Sequence, residues 1–195
     1  ELTTNIITWI AGTGIGSSSG DGGAATSATI NIPVGVVGNS IGLLFVSEYS
    51  GHKIRMINIS SGMINSYAGT GIGGYSGDNG AATSAQMNNP HHLTVDSLSN
   101  VFIADRGNHR IRKITYSTRI ITTYAGNGIA SSTGDGGAAT SGSFNYPVGA
   151  FMNTLDNMFI TEANGHRIRR IPSTGGLSTI AGTGIASSLS TANNG

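Results

Sequence analysis

A block of 57 residues recurs three times, and this recurrence limits what the chain can fold into more than any other feature. "SGDGGAATSA" (19–28) returns as "SGDNGAATSA" (76–85) and "TGDGGAATSG" (133–142). Asp21, Asp78 and Asp135 stand 57 apart, as do Pro33, Pro90 and Pro147, and His52, His109 and His166. "AG" pairs begin at Ala11, Ala68, Ala125 and Ala181, the last step being one residue shorter near Pro172. A chain of 195 residues is thus three copies of one supersecondary unit rather than one irregular domain.

Within a unit, each Pro opens a short apolar segment: "VGVVGN" (34–39), "HHLTVD" (91–96) or "VGAFMN" (148–153). After a polar turn come "LLFVSE" (43–48), "VFIADR" (101–106) or "MFITEA" (158–163). A basic segment follows, "SGHKIRMI" (50–57), "GNHRIRKI" (107–114) or "NGHRIRRI" (164–171). The last segment is "INSYAG" (64–69), "IITTYAG" (120–126) or "LSTIAG" (177–182). All four are too short for helices and rich in β-branched and aromatic residues, so they read as strands joined by tight turns. "VFIA" is apolar on both parities, which fits a sheet covered on both faces. Ile111 and Ile114 have opposite parity, which allows for a bulge in the basic segment. Four strands per unit, buried on both sides and repeated, point to blades of a propeller. The Gly-rich link, for example from Ala68 to Pro90, carries "AATSA"; it has room for one helical turn and can lead from an outer strand to the next inner one.

"PHHLTVD…NVFIADRGNHRIRKI" resembles the NHL repeat, and "SGDGGAATSA…P" resembles the linker of its longer-period form. The resemblance covers nearly the whole chain. It implies an all-β fold, a β-propeller segment of four-stranded antiparallel blades, with the segment after Pro innermost and the "YAG" segment outermost in a ring that is commonly six-bladed. The chain departs from the pattern at Asn39 and Asn153, where the middle unit has Asp96, and at Gly51 and Gly165, where it has Asn108. On this reading residues 1–195 form one segment: three full blades at about 33–69, 90–126 and 147–182, an extra outer strand at 4–11 and a tail at 183–195. Three blades fall short of the roughly four to eight that close a ring. Further repeats or further copies of the chain are therefore the expected partners, with the extra strand completing a neighbour's blade. Trp9, the only tryptophan, lies in that strand where the other units have Ser66, Thr123 and Thr179, and is an interface candidate.

The chemistry of the fixed polar residues reads as architecture. The basic segments follow Glu48, Asp105 and Glu162, each four residues before His52, His109 and His166, so local pairing is expected. A net charge of +1 with 10% charged residues supplies no field for nucleic acid or an anionic membrane, and neither is an expected partner. Asp21, Asp78 and Asp135 sit in Gly-flanked loops; a turn or cap role is favoured over metal or partner binding, since one carboxylate per loop is thin for calcium. His91 and His92 replace Val-Gly in the other units and are binding candidates; on a regular strand their side chains face opposite ways and could not share a metal.

Catalysis has little footing. No cysteine is present, no Ser–His–Asp order is recognisable, and the inner-strand ends Asn39, Asp96 and Asn153 offer one carboxylate, so no catalytic residue, metal or cofactor is assigned. No apolar run approaches the length of a membrane span. Glu1 is expected to begin a processed, truncated or partial product. Asn58-Ile59-Ser60 is a glycosylation acceptor, and with the low charge and abundant Ser/Thr it favours an extracellular setting; a glycan mass at Asn58 checks it. The expectation is a non-enzymatic structural or protein-interaction module that builds larger assemblies. Its rivals are a ligand- or carbohydrate-binding sensor and an enzyme with channel chemistry.

Overall fold

A computed structural model describes residues 8–186. Within the three repeat units, every stretch expected to be extended contains a strand. The first sheet contains β1 (Gly23–Ala24), β2 (Pro33–Gly38), β3 (Leu43–Glu48), β4 (Lys53–Asn58) and β5 (Met63–Ala68), in spatial order β1-β5-β4-β3-β2. The second repeats it with β6 (Gly80–Ala81), β7 (Pro90–Val95), β8 (Val101–Asp105), β9 (Arg110–Ile114) and β10 (Ile120–Ala125), in order β6-β10-β9-β8-β7. The third has β11 (Pro147–Met152), β12 (Met158–Glu162), β13 (Arg167–Ile171) and β14 (Ser178–Ala181) in sequence order. All pairings between these strands are antiparallel.

Each sheet is a blade, and the middle one is buried on both faces by its neighbours, which explains its apolar residues of both parities. Phe45, Ile54 and Ala68 of the first blade share a cluster with Leu93, Ile103, Ile114 and Ile121 of the second. Phe102, Ile111 and Ala125 of the second share one with Ala150, Met152, Ile160 and Ile171 of the third. Ile111 and Ile114 are both fully buried because they serve different interfaces. At about 1.5–3 kcal/mol per buried large side chain, these interfaces are the principal source of cohesion. The register does slip at the basic segment, but the extra residue lies on the outer strand: Ile111 pairs with Ala125 and Arg112 with Thr123, leaving Tyr124 as the bulge.

The Gly-rich link runs first along the outer edge of the blade that follows it. Gly23 and Ala24 pair with Ile64 and Met63, and Gly80 and Ala81 with Ile121 and Ile120. Gly136 N–H and the Gly137 carbonyl bond to Leu177 in the same place in the third unit (2.8 and 2.9 Å). "AATS" then makes a single 3-10 turn at Ala25–Ser27 and Ala82–Ser84, and the chain reaches the inner strand at Pro. The inner strands β2, β7 and β11 lie side by side; Ser47 Oγ–H of β3 donates to the His91 carbonyl of β7, and Met152 N–H of β11 to Thr94 Oγ1 of β7 (3.1 Å). Of the expected leading strand at 4–11, residues 8–11 are not extended in a sheet, and the rest lie outside the described residues.

Candidate functional site

The strongest polar feature is built three times. Arg55, Arg112 and Arg169, on the strand next to the outer one, are at most 1% exposed. Each guanidinium is held between two carboxylates: Arg55 by Glu48 and Asp21 (3.1 and 2.7 Å), Arg112 by Asp105 and Asp78 (3.3 and 2.6 Å), Arg169 by Glu162 and Asp135 (2.8 and 2.7 Å). Each also donates to two link carbonyls, for Arg112 those of Gln86 (3.3 Å) and Ser76 (3.2 Å). The arginine therefore fastens the link to the blade while one carboxylate neutralises it from inside and one from the rim. This corrects the expected pairing of the carboxylates with the histidines four residues on. Their partners lie seven residues on, diagonally across the hairpin, and the histidines are engaged elsewhere.

The binding candidates Asp21, Asp78 and Asp135 are thus held in the arginine network. Asp78 receives Arg112 on Oδ1, with Thr123 Oγ1 (2.7 Å) and Tyr75 Oη (2.8 Å) on Oδ2, which leaves it little capacity for a ligand. Hydrogen bonds from the outer-strand hydroxyl and the arginine hold all three carboxyls below their ordinary range despite the opposing effect of burial.

The departures at Gly51 and Gly165 have a packing reason. A Cβ at Gly51 would lie 2.7 Å from Glu48 Oε2, and one at Gly165 would lie 2.4 Å from Glu162 Oε2. The longer glutamates fill the space and take a hydrogen bond from Ser18 or Ser132. In the middle unit Asp105 is shorter and Tyr75 replaces the serine, so Asn108 Nδ2 donates to Asp105 Oδ2 (2.8 Å) instead. Burial pushes the Asp105 carboxyl up to about 6 against the pull of Asn108, the Asn88 N–H and Arg112.

The histidines latch one blade to the next. Asn89 N–H donates to His52 Nδ1 (3.1 Å), and Tyr146 N–H donates to His109 Nδ1 (3.2 Å). A backbone N–H can only donate, so both rings are neutral with the proton on Nε2. Burial lowers their pKa below the ordinary 6.5, with the charges of Arg106 and Arg110 adding to the effect at His109. A depressed folded-state pKa means that this bond stabilises the fold above that pH and loses its contribution as pH falls through the shifted value. Ile32 is the counterpart of Asn89 and Tyr146 and shares their left-handed backbone (φ 50, 51 and 54°), an unusual state for a β-branched residue. Its N–H meets no acceptor among the described residues, and exposed His166 meets no donor. The first blade thus keeps one half of the latch and the third keeps the other.

The apolar faces show the same asymmetry. Ile54 and Ile111 are fully buried, but Ile168 at the same repeat position is 37% exposed. Ala68 and Ala125 are buried, whereas Ala181 is exposed. Around the first blade's other face, Trp9, Ile30, Ile32 and Pro33 line a cavity of about 400 Å³. Trp9, the interface candidate, is exposed there, with its indole N–H on the Ala11 carbonyl (2.9 Å).

His91 and His92 do not face opposite ways. Their rings stack at 5.3 Å and 14°. Three residues from Pro90 to Leu93 span two from Asp105 to Ile103, and this bulge rotates the pair onto one side. His91 Nδ1 bonds the Val148 carbonyl (3.0 Å). At the far ends of the inner strands, Asn39, Asp96 and Asn153 each cap their own hairpin turn: Asp96 Oδ1 accepts from Leu98 N–H and Asn100 N–H (3.0 and 2.9 Å). No cluster of metal-ligating side chains occurs among the described residues. Asn58 ends β4, with its Oδ1 accepting from Ser60 and Ser61 in the turn that follows.

A family model described as the NHL repeat matches residues 87–114. NHL repeat-containing protein 2 of Bos taurus is 26% identical over 133 residues, covering 65% of this chain and 18% of that protein. Teneurin-m of Drosophila melanogaster is 30% identical over 112 residues, 52% of this chain and 4% of its own. The chain therefore spans less than a fifth of the length of either relative. Among solved structures, an auxiliary nutrient binding protein from Bacteroides ovatus aligns with a TM-score of 0.57 and 15% identity over 80% of this chain and 37% of that one, a likeness of fold.

Proposed function

We propose that this chain, which belongs to the NHL-repeat family, is a non-catalytic structural and protein-interaction module that joins other blades of its own kind. The observation that carries this is the divided latch. His166 and Ile168 on the third blade, and the Ile32 N–H on the first, stand at positions that meet across both internal blade junctions. The occupant that fits each open face best is the opposite end of a second copy. Two copies joined head to tail supply six blades, within the range that closes a ring, and a closed ring leaves no blade face bare. The buried ionisable groups support a non-enzymatic role, since each buried carboxylate is bound to an arginine that secures a link. Likeness to Teneurin-m and the acceptor triplet that begins at Asn58, at the end of β4, support a setting outside the cell.

Sedimentation equilibrium tests the assembly. The expected mass is twice 19.8 kDa. A constant single-chain mass at every concentration, or a polymer without limit, overturns the closed pair.

A further inference from the structure

We propose that the cleft where the three inner strands begin is a binding site for a small carboxylate ligand with an apolar or planar body. The cleft measures about 410 Å³ and is lined by Ile32, Val34, Tyr49, His91, Arg106 and Val148, drawn from all three units. These positions are where the repeat loses its regularity. Val34, His91 and Val148 are counterparts, as are Tyr49, Arg106 and Ala163, and as are Ile32, Asn89 and Tyr146. The arginine and the rim aspartate that fasten each link are the same in all three units, whereas Tyr49, Arg106 and Ala163 differ at every copy and His91 replaces a valine. Architecture alone gives no reason for the difference.

The polar groups are arranged for one anionic head. Arg106 Nη1 donates to Tyr49 Oη (3.1 Å), and its guanidinium lies 4.6 Å from the centre of the Tyr146 ring and 5.9 Å from that of Tyr49. This holds the cation in a fixed place. Arg55, Arg112 and Arg169 each have two carboxylates, yet among the described residues none lies within ion-pair distance of Arg106. Its planar fork suits a carboxylate. Beside it, His91 donates from Nδ1 to the Val148 carbonyl, so the neutral ring keeps its lone pair on Nε2. Its surroundings are His92 stacked on the ring, Tyr49 edge-on at 6.2 Å and Arg106, with no acid among them. Burial and the positive neighbours favour the neutral ring, and an arriving anion reverses that preference and makes Nε2 a second donor. Ile32, Val34 and Val148 provide the apolar wall for the rest of the ligand. The site borders the divided latch at Ile32, whose side chain belongs to the apolar wall and whose N–H belongs to the latch, but its polar groups Tyr49, His91 and Arg106 take no part in the latch.

Benzoate titrated into the full chain, followed through the His91 ring proton resonances, tests the site. Saturable shifts with a Kd near ~1 mM are expected, together with an upward move of the His91 titration midpoint. Arg106→Gln is expected to weaken binding about tenfold, with Arg106→Lys between the two, because a lone ammonium keeps the charge and loses the fork. A well-dispersed amide spectrum of each variant confirms that it is folded. Shifts that do not saturate, equal binding by Arg106→Gln, or equal binding of benzyl alcohol would overturn the anion site. Inorganic phosphate binding as well as benzoate would overturn the apolar wall.

Discussion

Replacing Arg112 by methionine costs the fold about 3–5 kcal/mol and lowers its melting temperature by roughly 10 °C, the largest effect expected of any single polar substitution in the chain. Arg112 and Asp105 are both fully buried, and their pairing is diagonal between β8 and β9. Removing the cation leaves the Asp105 charge in an apolar interior and releases Asp78, together with the stretch of link that carries it. Lys113→Met, one residue along the same strand, serves as the contrast. Its ammonium lies 5.5 Å from the Phe102 ring centre without a carboxylate partner, so the loss stays within about 1 kcal/mol. The pH dependence identifies the cause. Asp105 has its carboxyl pushed up to about 6, so the folded state takes up this proton more readily than the unfolded chain. Arg112 is one of the groups that draw this pKa down, so without it the carboxyl takes up its proton at higher pH. The penalty of Arg112→Met therefore shrinks as pH falls toward about 6 and levels off below it. Adding Asp105→Leu to Arg112→Met recovers part of the loss, because the unpaired charge is removed along with the cation. Urea unfolding of the four proteins at neutral and mildly acid pH checks the set; equal stabilities for Arg112→Met and Lys113→Met would contradict it.

A lysine at Ile168 is expected to abolish the proposed self-association without unfolding the chain, whereas the same change at Ile111 is expected to unfold it. The two residues are repeat counterparts with identical local sequence on either side, "HRIR". Ile111 is fully buried between the second and third blades, and an ammonium there lacks any carboxylate within the apolar cluster; the cost exceeds ~4 kcal/mol. Ile168 is 37% exposed, so a lysine can extend into water while the chain stays folded. The charge then prevents a second blade from covering the face. Circular dichroism and sedimentation of both variants decide the matter. Retained association in folded Ile168→Lys would exclude this face as the contact.

The tandem architecture was legible because period, turn residues and β-propensity agree in every unit. "LLFVSE" corresponds to β3 residue for residue, and the "AATS" turn falls where the link had room for it. Apolar residues of both parities in "VFIA" signalled a sheet covered on both faces. The opposite parity of Ile111 and Ile114, read as room for a bulge in that segment, reflects the same two-sided burial. What escaped was long-range or depended on one residue of register. Asp21 and Arg55 are 34 residues apart, and nothing local joins them, although the same spacing from Asp78 to Arg112 and Asp135 to Arg169 is a signal that could have found the pair. The carboxylates were matched to the nearer histidines because the role of those rings, accepting from the next blade, exists only in three dimensions. The stacking of His91 on His92 follows from a bulge that leaves no mark in composition. Tyr49 and Arg106 went unnoticed as single residues that break the repeat, and their meeting in one cleft required the blades to be set side by side.

The most direct measurement of the central idea, that the fixed residues of each unit fasten it to its neighbours, is the tautomeric state of the three equivalent histidines. Long-range nitrogen–proton NMR correlations report which ring nitrogen carries the proton. His52 and His109 are expected as neutral rings protonated on Nε2, staying so below the pH at which a free imidazole takes up a proton. In the associated state His166 is expected to show the same pattern, because the Ile32 N–H of a second copy now donates to its Nδ1. A His166 that keeps both tautomers in exchange while the other two are fixed would mean that the third blade meets no partner of this kind.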